Sequence, residues 1–95
     1  MKKDFQTIKQ ECIPILKDSG VSQSFVFGSY ARDEAHEGSD LDLLVSFRER
    51  KSLLDLVALK NALEGRLGIN VDIVTEQSLH PKLRPYVDHE KIQVL

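Results

Sequence analysis

The chain has 95 residues, with 13 Lys and Arg against 15 Asp and Glu and a formal net charge of -2. That length holds one small domain with one core, since a chain of this size buries only about 60–65% of its unfolded surface. The mildly acidic balance argues against a protein that grips nucleic acid mainly through its phosphates. The single cysteine, Cys12, excludes an intrachain disulfide and a cysteine-based zinc site.

The first twenty residues contain no continuous apolar run. A signal peptide or membrane span is not expected there, and the reading is one cytoplasmic domain over 1–95. Phe5, Ile8, Cys12, Ile13 and Leu16 fall on one helical face, which predicts a helix over 5–17. Pro14 should bend or shorten its end, and Asp18-Ser19-Gly20 supplies the stop. Val21 to Phe27 is rich in β-branched and aromatic residues and predicts a strand that runs into Gly28-Ser29. Tyr30 to Ala35 suits a short helix, and Glu37-Gly38-Ser39 a turn. Leu41 to Phe47 predicts a second strand, with Leu41, Leu43, Val45 and Phe47 on one face and Asp40, Asp42, Leu44 and Ser46 on the other. Arg48-Glu49-Arg50-Lys51 reads as a solvated loop.

Ser52-Leu53-Leu54-Asp55 is close to a capping box and opens a helix that turns Leu53, Leu56, Val57, Leu63 and Leu67 inward, with Gly68 as its cap. Asn70 to Thr75 predicts a third strand. From Leu79 onward, Pro81 and Pro85 predict a short, broken helix, and Ile92 to Leu95 either a last strand or a docking tail. The order α, β, α, β, α, β, α gives an α/β fold on a small sheet.

The chemistry sits between Gly28 and Asp42. Ten residues separate Gly28-Ser29 from Asp40-Leu41-Asp42. Side chains at i and i+2 of a strand share a side, so Asp40 and Asp42 present two carboxylates to one place. Such anions repel each other, and a divalent cation is the usual remedy. Mg2+ fits best, because it accepts one or two carboxylates and takes substrate phosphates as further ligands; Mn2+ fits the same oxygen set. Gly28 lets the backbone approach a ligand, and the short helix expected after it would offer N–H groups to a phosphate. Asp72 is the one acid in the middle of the third strand, and a lone Asp there calls for a metal, a partner or a cleft. It supplies the third carboxylate. Arg32 is a phosphate or partner contact or else a solvated cation, and Tyr30 packs. His36, His80 and His89 share no spacing and read as surface residues.

With these residues in place, GSYAR and SDLDLLV resemble the signature of the polymerase β-like nucleotidyltransferase superfamily. The short length makes the chain similar in particular to minimal nucleotidyltransferase (MNT) proteins, and VDIV followed by HPKLRPYV extends the similarity toward the tail. The resemblance implies a mixed-sheet nucleotidyltransferase fold and transfer of AMP from ATP with magnesium. It implies Asp40, Asp42 and Asp72 as metal ligands and catalytic carboxylates, and Gly28-Ser29 as the triphosphate cradle. It also implies a partner: a HEPN-domain ribonuclease toxin, adenylylated on a tyrosine, for which the chain is the antitoxin in a hetero-oligomer. One departure stands out, since the family often has glycine where this chain has Asp33.

Two function classes follow. The first is an enzyme that modifies a protein partner. The second is a binding module that inhibits its partner by contact, its carboxylates vestigial. A complete carboxylate set favours the enzyme, because a binder has no physical need for clustered acids. So short a chain leaves little room for a specificity domain, so a small-molecule acceptor such as an aminoglycoside ranks lower. A polymerase role ranks lower still, given the acidic balance.

Overall fold

The computed structural model describes residues 4–95. The elements are α1 (Phe5–Asp18), β1 (Val21–Phe27), β2 (Leu41–Phe47), α2 (Leu53–Leu67), β3 (Val71–Thr75), α3 (Arg84–Glu90) and β4 (Ile92–Gln93). The strands form one mixed sheet in the order β3-β2-β1-β4. β1 is antiparallel to both β2 and β4, whereas β2 and β3 are parallel. A parallel pair needs a crossover, and α2 provides it. The carboxyl-terminal residues are therefore an edge strand rather than a free tail, and Val94 is buried.

α1 and α2 pack together on one face of the sheet. Ile8, Cys12 and Leu16 of α1 and Leu59, Leu63 and Leu67 of α2 meet Val21, Val26, Leu41, Leu43, Val45 and Val71 in a single core. Burial pushes the Cys12 thiol up to about 12, so it acts as a small core hydrophobe. The opposite face of β2 carries Asp42 and the fully buried Leu44. α3 is tied at one end to Glu76, after β3, through Arg84, and at the other to Gly28, after β1, through Glu90. That places α3 across this second face, with Val87 its buried residue.

Three expectations are corrected. First, Pro14 does not shorten α1, which runs on to Asp18. Its ring displaces a hydrogen bond to Gln10, and Gln10 is exposed, so water can serve the orphaned carbonyl. Second, Leu53 and Val57 do not face inward: Leu53 is 75% exposed and Val57 44%, while Leu59, absent from the expected face, is buried. The core is entered only from Leu59 onward, by Leu59, Leu63 and Leu67, so the first turn of α2 stays outside it. Third, Tyr30 to Ala35 is not a helix. One turn forms and stops: Gly28 carbonyl accepts from the Arg32 N–H at 3.1 Å, Tyr30 carbonyl from Asp33 at 3.4 Å and Ser29 carbonyl from Glu34 at 2.8 Å, with Asp33 left-handed at φ 58°. That is the bond pattern of a Schellman stop, in which the left-handed position favours glycine.

The capping box at α2 forms with Asp55 in place of the usual Glu. Ser52 Oγ accepts from the Asp55 N–H at 3.3 Å, and Asp55 Oδ2 accepts from the Ser52 N–H at 2.9 Å. Replacing Ser52 by Ala removes the acceptor of the Asp55 N–H and should cost about 1 kcal/mol. For a domain of this size, thermal denaturation should show a fall in Tm of about 4–8 °C.

Candidate active site

The pairing of the strands assembles the site. Asp42 and Asp72 are register partners on the parallel strands β2 and β3, so their side chains leave the sheet on the same side. Asp40 lies just before β2, two residues from Asp42, and is exposed. On the other flank Asp42 is opposite Phe27, which places it beside Gly28. There the fit leaves no space for a side chain: a β-carbon on Gly28 would lie 2.3 Å from Asp42 Oδ2, and the glycine has φ 75°. Only glycine satisfies both conditions.

Electrostatics follow from this crowding. The Asp42 carboxyl is pushed up to about 6, first by burial and then by the charges of Asp72 and Asp40; Arg32 pulls it down, and Glu90 adds a small push upward. Those residues therefore surround one point. Arg32, 48% exposed, donates from Nε to Glu34 and from Nη1 to Glu90 Oε2 at 2.9 Å, and these bonds raise the proton affinity of its guanidinium. Glu90 Oε1 accepts from the Gly28 N–H at 2.8 Å. Ser29 follows in the same turn, with its carbonyl engaged by Glu34.

All the residues singled out from sequence thus converge here: Gly28, Ser29, Arg32, Asp40, Asp42 and Asp72. What differs is the source of positive character. The turn is too short for a helix dipole, and its charge-binding groups are the Gly28 N–H and the Arg32 guanidinium. Glu90 escaped the sequence reading, because an acid in the stretch Asp88-His89-Glu90 looks like any solvated residue and lies 62 positions from its partner. Tyr30 is buried in the core, and His36, His80 and His89 are exposed, as expected. A cavity of about 350 Å³ opens beside the head of β2, bordered by Tyr30, His36, Ser39, Glu64 and Asn70.

The donor set suits a hard divalent cation. Burial first, and then the charges of Asp72 and Asp40, raise the proton affinity of Asp42, and all three carboxylates offer oxygen. Among the described residues, no three His, Cys, Asp or Glu side chains form a ready metal cage. A divalent cation held by these carboxylates would take its remaining ligands from water and phosphate oxygens.

The raised Asp42 value has a definite sign. The folded chain binds this proton more tightly than an ordinary carboxyl at 3.8, so the ionised group weakens the fold above about pH 6 and ceases to do so below pH 3.8. Asp42→Asn should therefore raise Tm in EDTA at pH 7.5, and the gain should fade as the pH approaches 4. Asp33 gives a second test. Asp33→Gly and Asp33→Ala lose the same carboxylate, but only glycine is at ease at φ 58°. The glycine variant should be the more stable by about 1 kcal/mol in urea denaturation.

Residues 9–95 match the family model described as a nucleotidyltransferase domain. The chain is 45% identical over 75 residues to the protein adenylyltransferase MntA of Thermococcus cleftensis, covering 79% of this chain and 76% of that one. A solved structure described as a minimal nucleotidyltransferase superposes with a TM-score of 0.80 at 48% identity, covering 92% of this chain and 89% of the other. A toxin–antitoxin crystal structure with AMP-PNP superposes with a TM-score of 0.81 at 25% identity, covering 92% and 72%. With that match over most of its length and with this fold, the chain belongs to the nucleotidyltransferase domain family, as one of its minimal members.

Proposed function

We propose that this chain transfers AMP from ATP, with magnesium, to a hydroxyl of a protein partner, and that the partner is a HEPN-domain toxin for which it serves as antitoxin. The observation that carries the reading is the convergence on Asp42: two further carboxylates, an arginine and a glycine turn with no room for a side chain all meet at one half-buried group. A structural domain gains nothing from such mutual repulsion, whereas phosphoryl chemistry needs it. The name of the Thermococcus relative supports adenylyl transfer to protein, and the AMP-PNP in the toxin–antitoxin neighbour supports an adenine nucleotide. The HEPN identity of the partner comes from the family resemblance read in the sequence.

In this reading Gly28, Ser29 and Arg32 hold the triphosphate. Asp40, Asp42 and Asp72 are the metal ligands, and a metal held there would neutralise phosphate charge as it develops. Asp72 also takes the proton from the attacking hydroxyl. The hydroxyl oxygen bonds to the α-phosphorus, the bond from that phosphorus to the bridging oxygen breaks, and pyrophosphate leaves. Holding the nucleotide and the acceptor in line is the larger part of such catalysis. The chain itself is too small to shape a full acceptor site, so the partner's surface completes it. No described helix is long and apolar enough to cross a membrane.

The test uses labelled ATP, magnesium and a HEPN-domain partner. Label should move to the partner, and Asp40→Ala or Asp42→Ala should cut the rate by about 10²–10³-fold, the order seen when one electrostatic stabiliser is removed. Variants that still neutralise the toxin at equal dose would instead show that inhibition works by contact.

A further inference from the structure

The two anion-binding groups of the glycine turn are already engaged in this structure, by an anion of the chain itself. Glu90 gives one carboxylate oxygen to the Gly28 N–H at 2.8 Å and the other to Arg32 Nη1 at 2.9 Å. Its side chain is only 18% exposed. A backbone N–H beside a guanidinium is a seat that carboxylate and phosphate oxygens both fit, with charge-assisted bonds of similar length. Burial alone would push the Glu90 carboxyl up, but the bonds from Arg32 and Gly28 outweigh it and hold the group below its ordinary value, so it sits there ionised.

That charge is badly placed for a purely structural tether. It is a third negative group facing Asp42, beside Asp40 and Asp72, and it contributes to the rise at Asp42. An incoming triphosphate meets this excess and finds its donors taken. Glu90 is also the last residue of α3, directly before Lys91 and β4. The tail is held besides by Lys91, which pairs with Asp88 at 3.0 Å and lies 4.4 Å from the Phe25 ring, and by the pairing of Ile92 and Gln93 with β1. Moving the Glu90 side chain therefore touches a junction between the active-site turn and the edge strand.

We propose that Glu90 is an internal stand-in for phosphate: it occupies the seat formed by the Gly28 N–H and Arg32, and a nucleotide must displace it, which loosens the α3–β4 junction. The inference rests on the reading of Gly28, Ser29 and Arg32 as triphosphate contacts. It makes the last residues of the chain a reporter of nucleotide occupancy. It also sets the affinity for ATP below what the bare seat would give.

Calorimetric titration of AMP-PNP into the wild-type chain and Glu90→Gln, with magnesium, decides the point. Glutamine keeps the size of the side chain but surrenders the charge. Removing a competing charged hydrogen bond should tighten binding by about tenfold. Equal or weaker binding in the variant, with the wild type binding normally, overturns the stand-in and leaves the transferase reading intact. No binding by either chain overturns both. Should Glu90→Gln fail to fold, the wild-type chain is decisive by itself: amide NMR signals of Gly28 and of Lys91 to Gln93 should shift together, at one midpoint, when inorganic triphosphate is added. A Gly28 shift with an unmoved tail would overturn the proposal.

Discussion

The parallel pairing of β2 and β3 forces Asp42 and Asp72 together, and the rest of the site answers the repulsion this creates. Repulsion between neighbouring carboxylates is costly in a half-buried setting, and a fold tolerates it only where surrounding structure holds the groups in place. Here the hold is provided by ordinary packing. Leu41, Leu43 and Val45 anchor β2 in the core on one face while Asp42 projects from the other. Because the alternation of a strand is strict, the same hydrophobic set that fixes the register also fixes where the charge must stand. Gly28 then closes the site from the side, with no volume left between its backbone and Asp42.

The pattern of the sheet was legible in the sequence because it depends on local alternation. All three long strands are where the β-branched and aromatic runs place them, and the three carboxylates and the glycine turn come together as their spacing implied. The errors have two sources: where an element meets something distant, and how a local break is accommodated. The periodicity of α2 is ambiguous in its first half, and only tertiary packing shows that Leu53 and Val57 are left out of the core. The one-turn stop after Gly28 is a local case. Tyr30 to Ala35 has helix-forming residues, yet Asp33 takes a left-handed conformation that ends the turn. The odd residue noticed in the motif thus occupies the position where glycine is favoured for conformational reasons.

Glu90 shows the limit of sequence spacing most clearly. No pattern connects it to Gly28, because the contact depends on α3 crossing the second face of the sheet, held at its other end by Arg84 and Glu76. A carboxylate that a strand pattern cannot predict nonetheless completes the hydrogen bonding of the motif that the pattern predicts best. The same short helix leaves Leu83 and Tyr86 largely exposed while burying Val87.

Size gives the arrangement its logic. A nucleotidyltransferase needs a metal site, a phosphate seat and an acceptor site, and this chain has enough core to build the first two. One face of its sheet carries α1 and α2, the other carries α3 and the carboxylates, and the tail pairs along β1, leaving β3 and β4 as the edges. Among the described residues no element beyond α3 lies on the carboxylate face, and in the proposed reading a partner's surface places the acceptor hydroxyl. Electrostatics point the same way. Burial and the charges of Asp72 and Asp40 outweigh Arg32 at Asp42, and in the proposed reading a metal bound with the nucleotide would offset them. The acidic character that argued from the start against nucleic-acid binding is, on this view, concentrated where the chemistry requires it.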